Sequence, residues 1–383
     1  MRRVWNIGCC CSLLILLLSG CWNSKDLQNL AYVTAIGMDY EDGKFITYAQ
    51  VLNFANVAKQ ETAEVGKKVP VWIGRGEGRS VTESLTSLYA TSQIRVFWGH
   101  VKVIIFSERI LKRGVFEVYD MFNRYREIRY NILLYGTKEK LPDILSQKSL
   151  FNLSPLNTLI FSPKEIYAQR SFLLPVHGYK SIARLNDGSH SVLLPTIALN
   201  KMSWSEDKTP KPMFQIDGAF YFQSGFLLSG WLSEEQLKGG RWVQKKLDRS
   251  PLNIPDDEHP HAGLILEKPK PRIEPIFENG TVRFKVTIRL KGYVDEMHQD
   301  MSQRQMEEEA ARKVKEEVQA SFLNGLKIKA DVLGLEEHLY RNHPQKWKQL
   351  GADQRMSLTE DSLAEVIVKV KLKHTGKYKG RAS

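Results

Sequence analysis

Hydrophobic and polar residues follow two periods along this chain, one of two residues and one close to 3.6. Near the amino end, the segments Ala31–Asp39 and Phe45–Phe54 are rich in β-branched and aromatic residues, and an Asp-Gly pair lies between them. Asp-Gly in this position is a strong signal for a hairpin turn. The pattern therefore predicts a β-hairpin, followed by a polar loop over Ala58–Val69.

The next segments alternate between the two periods. Ser80, with Glu83 three residues later, matches a capping box at the start of a helix. Strands are predicted over His100–Phe106 and Asn131–Tyr135, and an amphipathic helix over Val115–Tyr125. Because helices and strands alternate, the sequence predicts an α/β domain over residues 21–200.

The pattern changes after residue 200. The segment 200–213 is polar and contains two prolines, which is typical of a domain boundary. A strand, a turn, a strand and a short helix capped by Ser233 are predicted next. Proline-rich connections then flank a short strand at Gly263–Glu267. These elements predict a small β-rich module over residues 213–270.

The last part of the chain combines a strand and a long helix. Residues 281–297 read as a clear alternating strand, with basic residues between the apolar ones. Met301–Leu326 carries an apolar stripe at helical spacing, so it is predicted to be a helix that packs on a sheet. A second helical region is predicted to end near His343, before a final strand. The predicted class is α+β, a multi-domain ectodomain with mixed or antiparallel sheets and a sheet-plus-long-helix domain over residues 271–383. The predicted inward-facing residues of this domain are Val282, Phe284, Val286 and Ile288 in the strand, and Met306, Ala310, Val314, Val318 and Phe322 in the helix.

The first twenty residues have the layout of a secretory signal peptide. Arg2 and Arg3 precede the apolar run Ile7–Leu18, and the small residues Ser19 and Gly20 follow it. The apolar run of about twelve residues is shorter than the roughly twenty that span a bilayer as a helix. A cleaved signal peptide over residues 1–20 is therefore predicted; the alternative is an uncleaved anchor helix or a buried helix.

Leu18-Ser19-Gly20-Cys21 resembles the bacterial lipobox. This resemblance implies that Cys21 receives a diacylglycerol through a thioether and becomes the first residue of the mature chain. Two acyl chains anchor a protein stably to a membrane, whereas one chain is marginal. The other cysteines, Cys9 to Cys11, would be removed with the signal peptide. A mature chain with one lipid-capped thiol has no disulfides, no thiolate metal sites and no thiol nucleophile.

The chain is basic, with a formal charge of +12 and 42% hydrophobic residues. Such a charge suits nucleic acid, an anionic membrane surface or an anionic envelope polymer. No zinc-finger spacing, aromatic RNA-binding signature or long basic block is present, so no nucleic-acid partner is expected. The anionic membrane surface and a general contribution to solubility remain as explanations of the charge.

Two short segments are candidates for chemistry. Gly74–Ser80 is glycine-rich and precedes a capped helix, but it matches neither phosphate-binding motif, and a flexible turn is the favoured interpretation. His259 and His261 form a close histidine pair beside Asp256, Asp257 and Glu258, but no further ligands follow at zinc spacing. Hydrolase and metalloprotease motifs are also missing from the sequence. The expectation is a binding or scaffolding protein without catalytic residues, metal or cofactor.

Several segments together resemble one family. The order Gly20-Cys21-Trp22, an acidic residue and leucine, and then Ala35-Ile36-Gly37-Met38-Asp39 resembles the C subunit of bacterial nutrient germinant receptors, the GerAC-type lipoproteins. Residues 99–111, 124–129, 217–239 and 329–350 resemble later segments of that family in the same order. The resemblance runs from Cys21 to about Gly376.

The resemblance implies a lipoprotein on the outer face of the inner membrane of a dormant spore. It implies integral-membrane A and B subunits as partners in nutrient-triggered germination, an α+β fold of three domains, and no enzyme activity. Cys21, as the lipidation site, is the residue that transfers from the family. Two other hypotheses stay open: a lipid-anchored enzyme of the spore wall or envelope, and a solute-binding lipoprotein.

Overall fold

The computed structural model of the chain describes residues 30–53, 70–175, 177–186, 191–223, 226–244, 246–278, 280–350 and 358–373. The predicted signal peptide, Cys21 and the polar loop predicted over Ala58–Val69 lie outside these residues. The described strands are β1 Leu30–Glu41, β2 Lys44–Leu52, β3 Trp72–Gly78, β4 Arg95–Phe97, β5 Val103–Ser107, β6 Leu133–Thr137, β7 Val192–Asn200, β8 Ser205–Glu206, β9 Thr209–Pro210, β10 Met213–Gln223, β11 Leu227–Ser233, β12 Ser250–Ile254, β13 Ala262–Glu278, β14 Thr281–Met297 and β15 Leu363–Leu372.

The helices lie between these strands, and several are short. The described α-helices are α1 Val81–Thr86, α2 Glu108–Arg113, α3 Phe116–Arg124, α4 Leu141–Leu145, α5 Pro163–Gln169, α6 Gly178–Asn186, α7 Gln303–Lys327, α8 Leu335–Asn342 and α9 Pro344–Gln349. Segments of 3₁₀-helix occur at Ser87–Ala90, Leu150–Asn152, Pro155–Asn157, Glu235–Val243 and Glu360–Ser362.

The first sheet is mixed and has the strand order β11-β10-β7-β6-β5-β1-β2-β3, with β4 beside β1. β1, β5, β6 and β7 run parallel, and the outer strands pair antiparallel. Alternate residues of β5 enter two clusters: Ile104 and Phe106 pack with α1, α2 and α3, whereas Val103 and Ile105 pack with α4 on the other face. Both faces of the central strands are therefore covered, as parallel strands require.

The second sheet has the order β12-β13-β14-β15. β14 pairs antiparallel with β13 and parallel with β15. The long helix α7 covers one face of this sheet, and its Val314 and Val318 share a cluster with Phe284 of β14. Ser302 and Gln305 form the capping box that begins α7. The predicted apolar stripe of the helix and the alternation of the strand are confirmed.

The α+β class is confirmed, and so are the local signals near the amino end. The hairpin β1–β2 turns at Asp42-Gly43, where both residues have positive φ, as a type I′ turn requires. The Ser80 hydroxyl accepts a hydrogen bond from the Glu83 N–H (3.1 Å), and the Glu83 carboxylate accepts one from the Arg79 N–H (2.7 Å). The capping box therefore forms with one difference: the Glu83 carboxylate accepts from the N–H of Arg79 and not from the N–H of the cap residue Ser80.

Residues 213–270 contribute strands to both sheets. β10 and β11 extend the first sheet through β7, whereas β12 and the start of β13 belong to the second sheet. Independent folding of residues 213–270 as a module stays a prediction. In the structure, this segment connects the two sheets.

The glycine-rich segment is not the turn that its sequence suggests. Gly74, Gly76 and Gly78 lie in strand β3, which pairs with β2. A Cβ on Gly76 would overlap the Ser84 carbonyl oxygen and the Ser87 hydroxyl of the helical turns behind the strand. The glycines alternate because they form the face on which α1 lies. They allow close packing of a helix on a strand and form no phosphate loop.

We expect Gly76→Ala to lower the free energy of unfolding by about 1–3 kcal/mol, because the added methyl group must push α1 away from β3. Chemical denaturation of the purified protein measures this loss. Gly240→Ala is the matched control. The atom nearest to its added Cβ would be a Cγ of Val332 at 3.4 Å, which is an ordinary van der Waals distance. Equal stability of the two variants would contradict the packing explanation.

Candidate functional site at the junction of the two sheets

The chain passes from the first sheet to the second through the 3₁₀ segment Glu235–Val243, which lies against α7. Gly239 approaches α7 so closely that a Cβ would overlap the Glu317 backbone. The Gly239 N–H donates to the Ser321 hydroxyl (2.9 Å), which donates to the Gln236 carbonyl (2.9 Å). A buried serine on α7 thus satisfies backbone groups of the connection that would otherwise lack partners.

A buried ion pair lies beside this contact. Nη2 of Arg241 donates to both carboxylate oxygens of Glu317, at 3.3 and 3.1 Å, and both side chains are 9% exposed. The Trp242 indole N–H donates to the same carboxylate (2.6 Å), and the Arg241 guanidinium stacks over the Trp242 ring at 4.5 Å. Burial lowers the pKa of Arg241, and the charge of Glu317 opposes this effect. The carboxylate of α7 therefore fixes two successive side chains of the connection.

We expect Glu317→Ala to destabilise the protein by about 3–5 kcal/mol, because Arg241 would be left buried without its counter-charge. The free energy of unfolding in denaturant measures the loss. Arg312→Ala, on the exposed side of the same helix, is the control: its pairs with Glu309 and Glu316 are exposed and contribute about 1 kcal/mol or less. Comparable losses in both variants would show that the buried pair has no special role.

Two buried carboxyl groups lie where the chain leaves α7. Asp331 and Glu336 are each 8% exposed. The Asp331 backbone N–H donates to the Ser191 hydroxyl (2.7 Å) at the start of β7, and the Asp331 carboxylate accepts from the Glu336 N–H (2.8 Å). Asp331 thus joins the second sheet's helices to the first sheet and stabilises the first turn of α8.

Both carboxyl groups hold their protons more tightly than usual. Burial raises the pKa of Asp331 from 3.8 to about 6, although backbone N–H groups of α8 oppose the change. Burial raises the pKa of Glu336 from 4.5 to about 9, and the negative charge of Asp331 adds to this effect. The folded chain therefore binds more protons than the unfolded chain between about pH 4 and pH 9.

This difference predicts that stability falls as pH rises through that range. A carboxyl with a raised pKa contributes most below its unfolded pKa, and the contribution is lost as pH rises through the folded pKa. Glu336→Gln should flatten the profile and raise the free energy of unfolding by about 1–3 kcal/mol at pH 9, since no charge then has to be buried.

Denaturation curves between pH 5 and pH 9 measure this effect. Glu337→Gln is the control, because Glu337 is the next residue in the same helix and pairs with Arg184 (3.5 Å) and Arg341 (2.9 Å) nearer the surface. If Glu336→Gln kept the pH slope of the unchanged protein, Glu336 would not be a buried titrating group.

A cleft of about 790 Å³ opens at this junction between two halves of the molecule, which are the first sheet with its helices and the second sheet with its helices. Asp331, Gly334 and Glu337 line it from the second half, and the Arg184–Glu337 ion pair bridges it. Its lining combines apolar side chains with charged residues of both signs, which suits binding of a small polar molecule or a partner's side chain. The lining residues from the first half include Leu133, Phe161, Lys164, Tyr167, Leu173, His177, Lys180 and Leu193.

The histidine pair lies in the connection between β12 and β13, and neither histidine lines this cleft. The Asp256 carboxylate accepts hydrogen bonds from the backbone N–H groups of Glu258 (3.0 Å) and His259 (2.7 Å), which lower the pKa of Asp256. The His261 N–H donates to the Ile254 carbonyl (2.7 Å), and Asp257 pairs with Lys238 (3.0 Å). Among the described residues, no group of three or more His, Cys, Asp or Glu side chains converges as metal ligands would.

Sequence patterns did not indicate the residues of the junction. Asp331 and Glu336 lie in a segment that resembles an ordinary solvated helix start, and Glu317 lies on the charged side of the predicted helix. Gly239-Gly240 before Arg241-Trp242 was the available signal, because paired glycines beside large side chains often mark a close backbone approach. None of the described helices is long and apolar enough to cross a membrane.

Comparison with known proteins gives a consistent result for both halves. The family model described as spore germination protein N-terminal domain matches residues 23–199, and the one described as spore germination B3/GerAC like, C-terminal, matches residues 217–376. Two relatives from Bacillus subtilis (strain 168) are spore germination protein KC, 22% identical over 88% of this chain and 87% of its own length, and spore germination protein B3, 21% identical over 88% and 89%.

The fold is also similar to a solved one. The crystal structure of the GerBC protein superposes with a TM-score of 0.55 and 18% sequence identity, and covers 91% of this chain and 99% of the GerBC chain. The similarity thus includes both sheets and the connection between them. From the two family models and the relatives aligned over most of their length, this chain belongs to the GerAC family of spore germination proteins.

Proposed function

We propose that this protein is the lipid-anchored C subunit of a nutrient germinant receptor. It would lie on the outer face of the spore's inner membrane and act together with integral-membrane A and B subunits. The observation that carries the proposal is the family match, which extends over both halves of the chain. Relatives named as spore germination proteins align along nearly their whole length, which supports a shared role for the entire ectodomain.

The lipobox supports the membrane part of the proposal. Cys21 precedes Leu30, the first residue of β1, by about nine residues, which span at most roughly 30 Å when extended. A diacylglycerol on Cys21 would therefore keep the first sheet close to the bilayer. Two acyl chains are sufficient for stable residence, so the described domains need no spanning helix of their own.

The architecture supports a binding role for the ectodomain. The buried ion pair at Glu317 fixes the connection on α7, and the hydrogen bond from Asp331 to Ser191 joins the second half to the first; both are polar contacts that require one arrangement. The ectodomain would thus present its surfaces to the A and B subunits as one unit. The proposed contribution to germination is assembly and positioning, with neither catalysis nor a cofactor.

The lipid anchor is tested by Cys21→Ala. We expect this variant to be lost from the salt-washed membrane fraction and to slow nutrient-triggered germination, because the thioether to diacylglycerol cannot form. Membrane fractionation with immunodetection gives the first result, and intact mass of the extracted protein shows whether Cys21 is the modified first residue.

A variant with alanine at Cys9, Cys10 and Cys11 is the matched control, since it removes three thiols and keeps the lipobox. It should fractionate and germinate like the unchanged protein. Normal membrane retention of Cys21→Ala would remove the anchor from the proposal.

A further inference from the structure

The face of the second sheet opposite α7 carries an unusual arrangement of charge. Lys270 of β13 lies directly opposite Arg289 of β14, which lies directly opposite Lys369 of β15. In the next row, Lys291 lies opposite Lys371, with Glu267 on its other side. The five cationic side chains are exposed, and together they are called the basic face here: Lys270, Arg289, Lys291, Lys369 and Lys371.

Such an arrangement costs stability. Directly opposite residues on neighbouring strands have their Cβ atoms about 4.5–5.5 Å apart, and like charges in these positions repel. Within the described part of the chain, none of the five residues of the basic face forms an ion pair. Folding therefore brings three cations together in the row Lys270–Arg289–Lys369 with no carboxylate in that row.

Two rows away on the same sheet face, the cations are paired with carboxylates. There Lys285 lies between Glu274 and Glu365, and its ammonium group pairs with Glu365 (2.6 Å). Arg272 likewise pairs with Glu274 (3.0 Å). The chain thus balances charge toward the tip of the β13–β14 hairpin and leaves it unbalanced in the middle of the hairpin. A ligand that supplies negative charge would explain this difference.

We propose that the basic face binds the anionic phospholipid surface of the membrane that holds the protein. The five cations extend over three strands and two rows without a surrounding pocket, so they suit a layer of phosphate groups more than one enclosed anion. Long lysine and arginine side chains reach outward from their strands while their stems lie on the sheet. This inference rests on the proposed lipid anchor, because the anchor keeps the ectodomain near such a surface.

Binding of the basic face to the membrane would set the orientation of the ectodomain. A lipid on Cys21 fixes a single point within roughly 30 Å of Leu30, and one point of attachment does not set the orientation of the ectodomain. Docking of the basic face would lay the second sheet along the bilayer and turn α7 away from it. Each cation near an anionic surface strengthens docking about fivefold, so five together would give strong preference for one orientation.

The test uses the full lipidated protein in vesicles, labelled at one introduced cysteine. Lipid caps the thiol of Cys21, so Thr287→Cys on the same sheet face can be labelled uniquely. A fluorophore there should be quenched by headgroup nitroxides in vesicles with about one third phosphatidylglycerol, and much less in pure phosphatidylcholine. High salt should abolish the difference. A label at Met202→Cys, which is 92% exposed on the first sheet's β7–β8 connection, should respond equally in both vesicles.

Two charge variants give the decisive comparison. Arg289→Gln with Lys369→Gln should reduce the ratio of docked to undocked protein roughly 25-fold, at about fivefold per charge. Lys201→Gln with Lys208→Gln removes the same charge from the exposed segment beside β8 and should leave quenching unchanged. The first pair should also leave the melting temperature unchanged or raise it, because it relieves repulsion; a structural role for these residues would lower it.

The outcomes separate this inference from the proposed function. If the protein does not co-sediment with either kind of vesicle and carries no lipid by mass, the anchor fails. If it co-sediments with both and the Thr287→Cys label is quenched equally in both, the basic face does not bind anionic lipid. If poly-glutamate binds the basic face while phosphatidylglycerol has no effect, the ligand is an acidic protein surface, and the membrane proposal is overturned.

Discussion

The two sheets form one molecule because the connection Glu235–Val243 fits against a single side of α7. Glycine at 239 allows the backbones to touch, and the Arg241–Glu317 pair then fixes their register. A buried ion pair adds little net stability compared with apolar residues, but it strongly disfavours arrangements in which either charge is buried alone. The contact therefore specifies how the connection lies on the helix more than it stabilises the fold.

The second polar contact works in the same direction from the other end of α7. Asp331 is bonded to Ser191 of the first half and to the start of α8 in the second. Since α7 carries one contact in its body and the other just after its end, the long helix serves as the common support of both halves. The cleft between them is a consequence of these two contacts, and its walls come from both sheets.

Local sequence signals predicted local structure well. The apolar stripe gave a helix at Met301–Leu326, and the structure has Gln303–Lys327; the Asp42-Gly43 turn and the Ser80 cap form as expected. Signals failed where the cause was distant in sequence. The glycines of β3 suggest a turn in the sequence. Their actual role is to let α1 pack closely on the strand, and this contact exists only in the folded protein. Burial of Asp331 and Glu336 likewise depends on β7 and the second sheet's core, which no local pattern reports.

Where residues break the usual rules of stable folding and gain no stability from their neighbours, function is the usual reason. The carboxyl groups at Asp331 and Glu336 break the rule against buried charge, but the Asp331 carboxylate accepts a backbone hydrogen bond from the start of α8, and the raised pKa of Glu336 favours its neutral form. The Lys270–Arg289–Lys369 row breaks the rule against opposed like charges and has no such compensation within the described chain. Because opposite charge is available two rows away, the sheet itself does not require this pattern. An anionic surface lying against this row would remove the cost, and a basic chain held by lipid would meet that surface continuously.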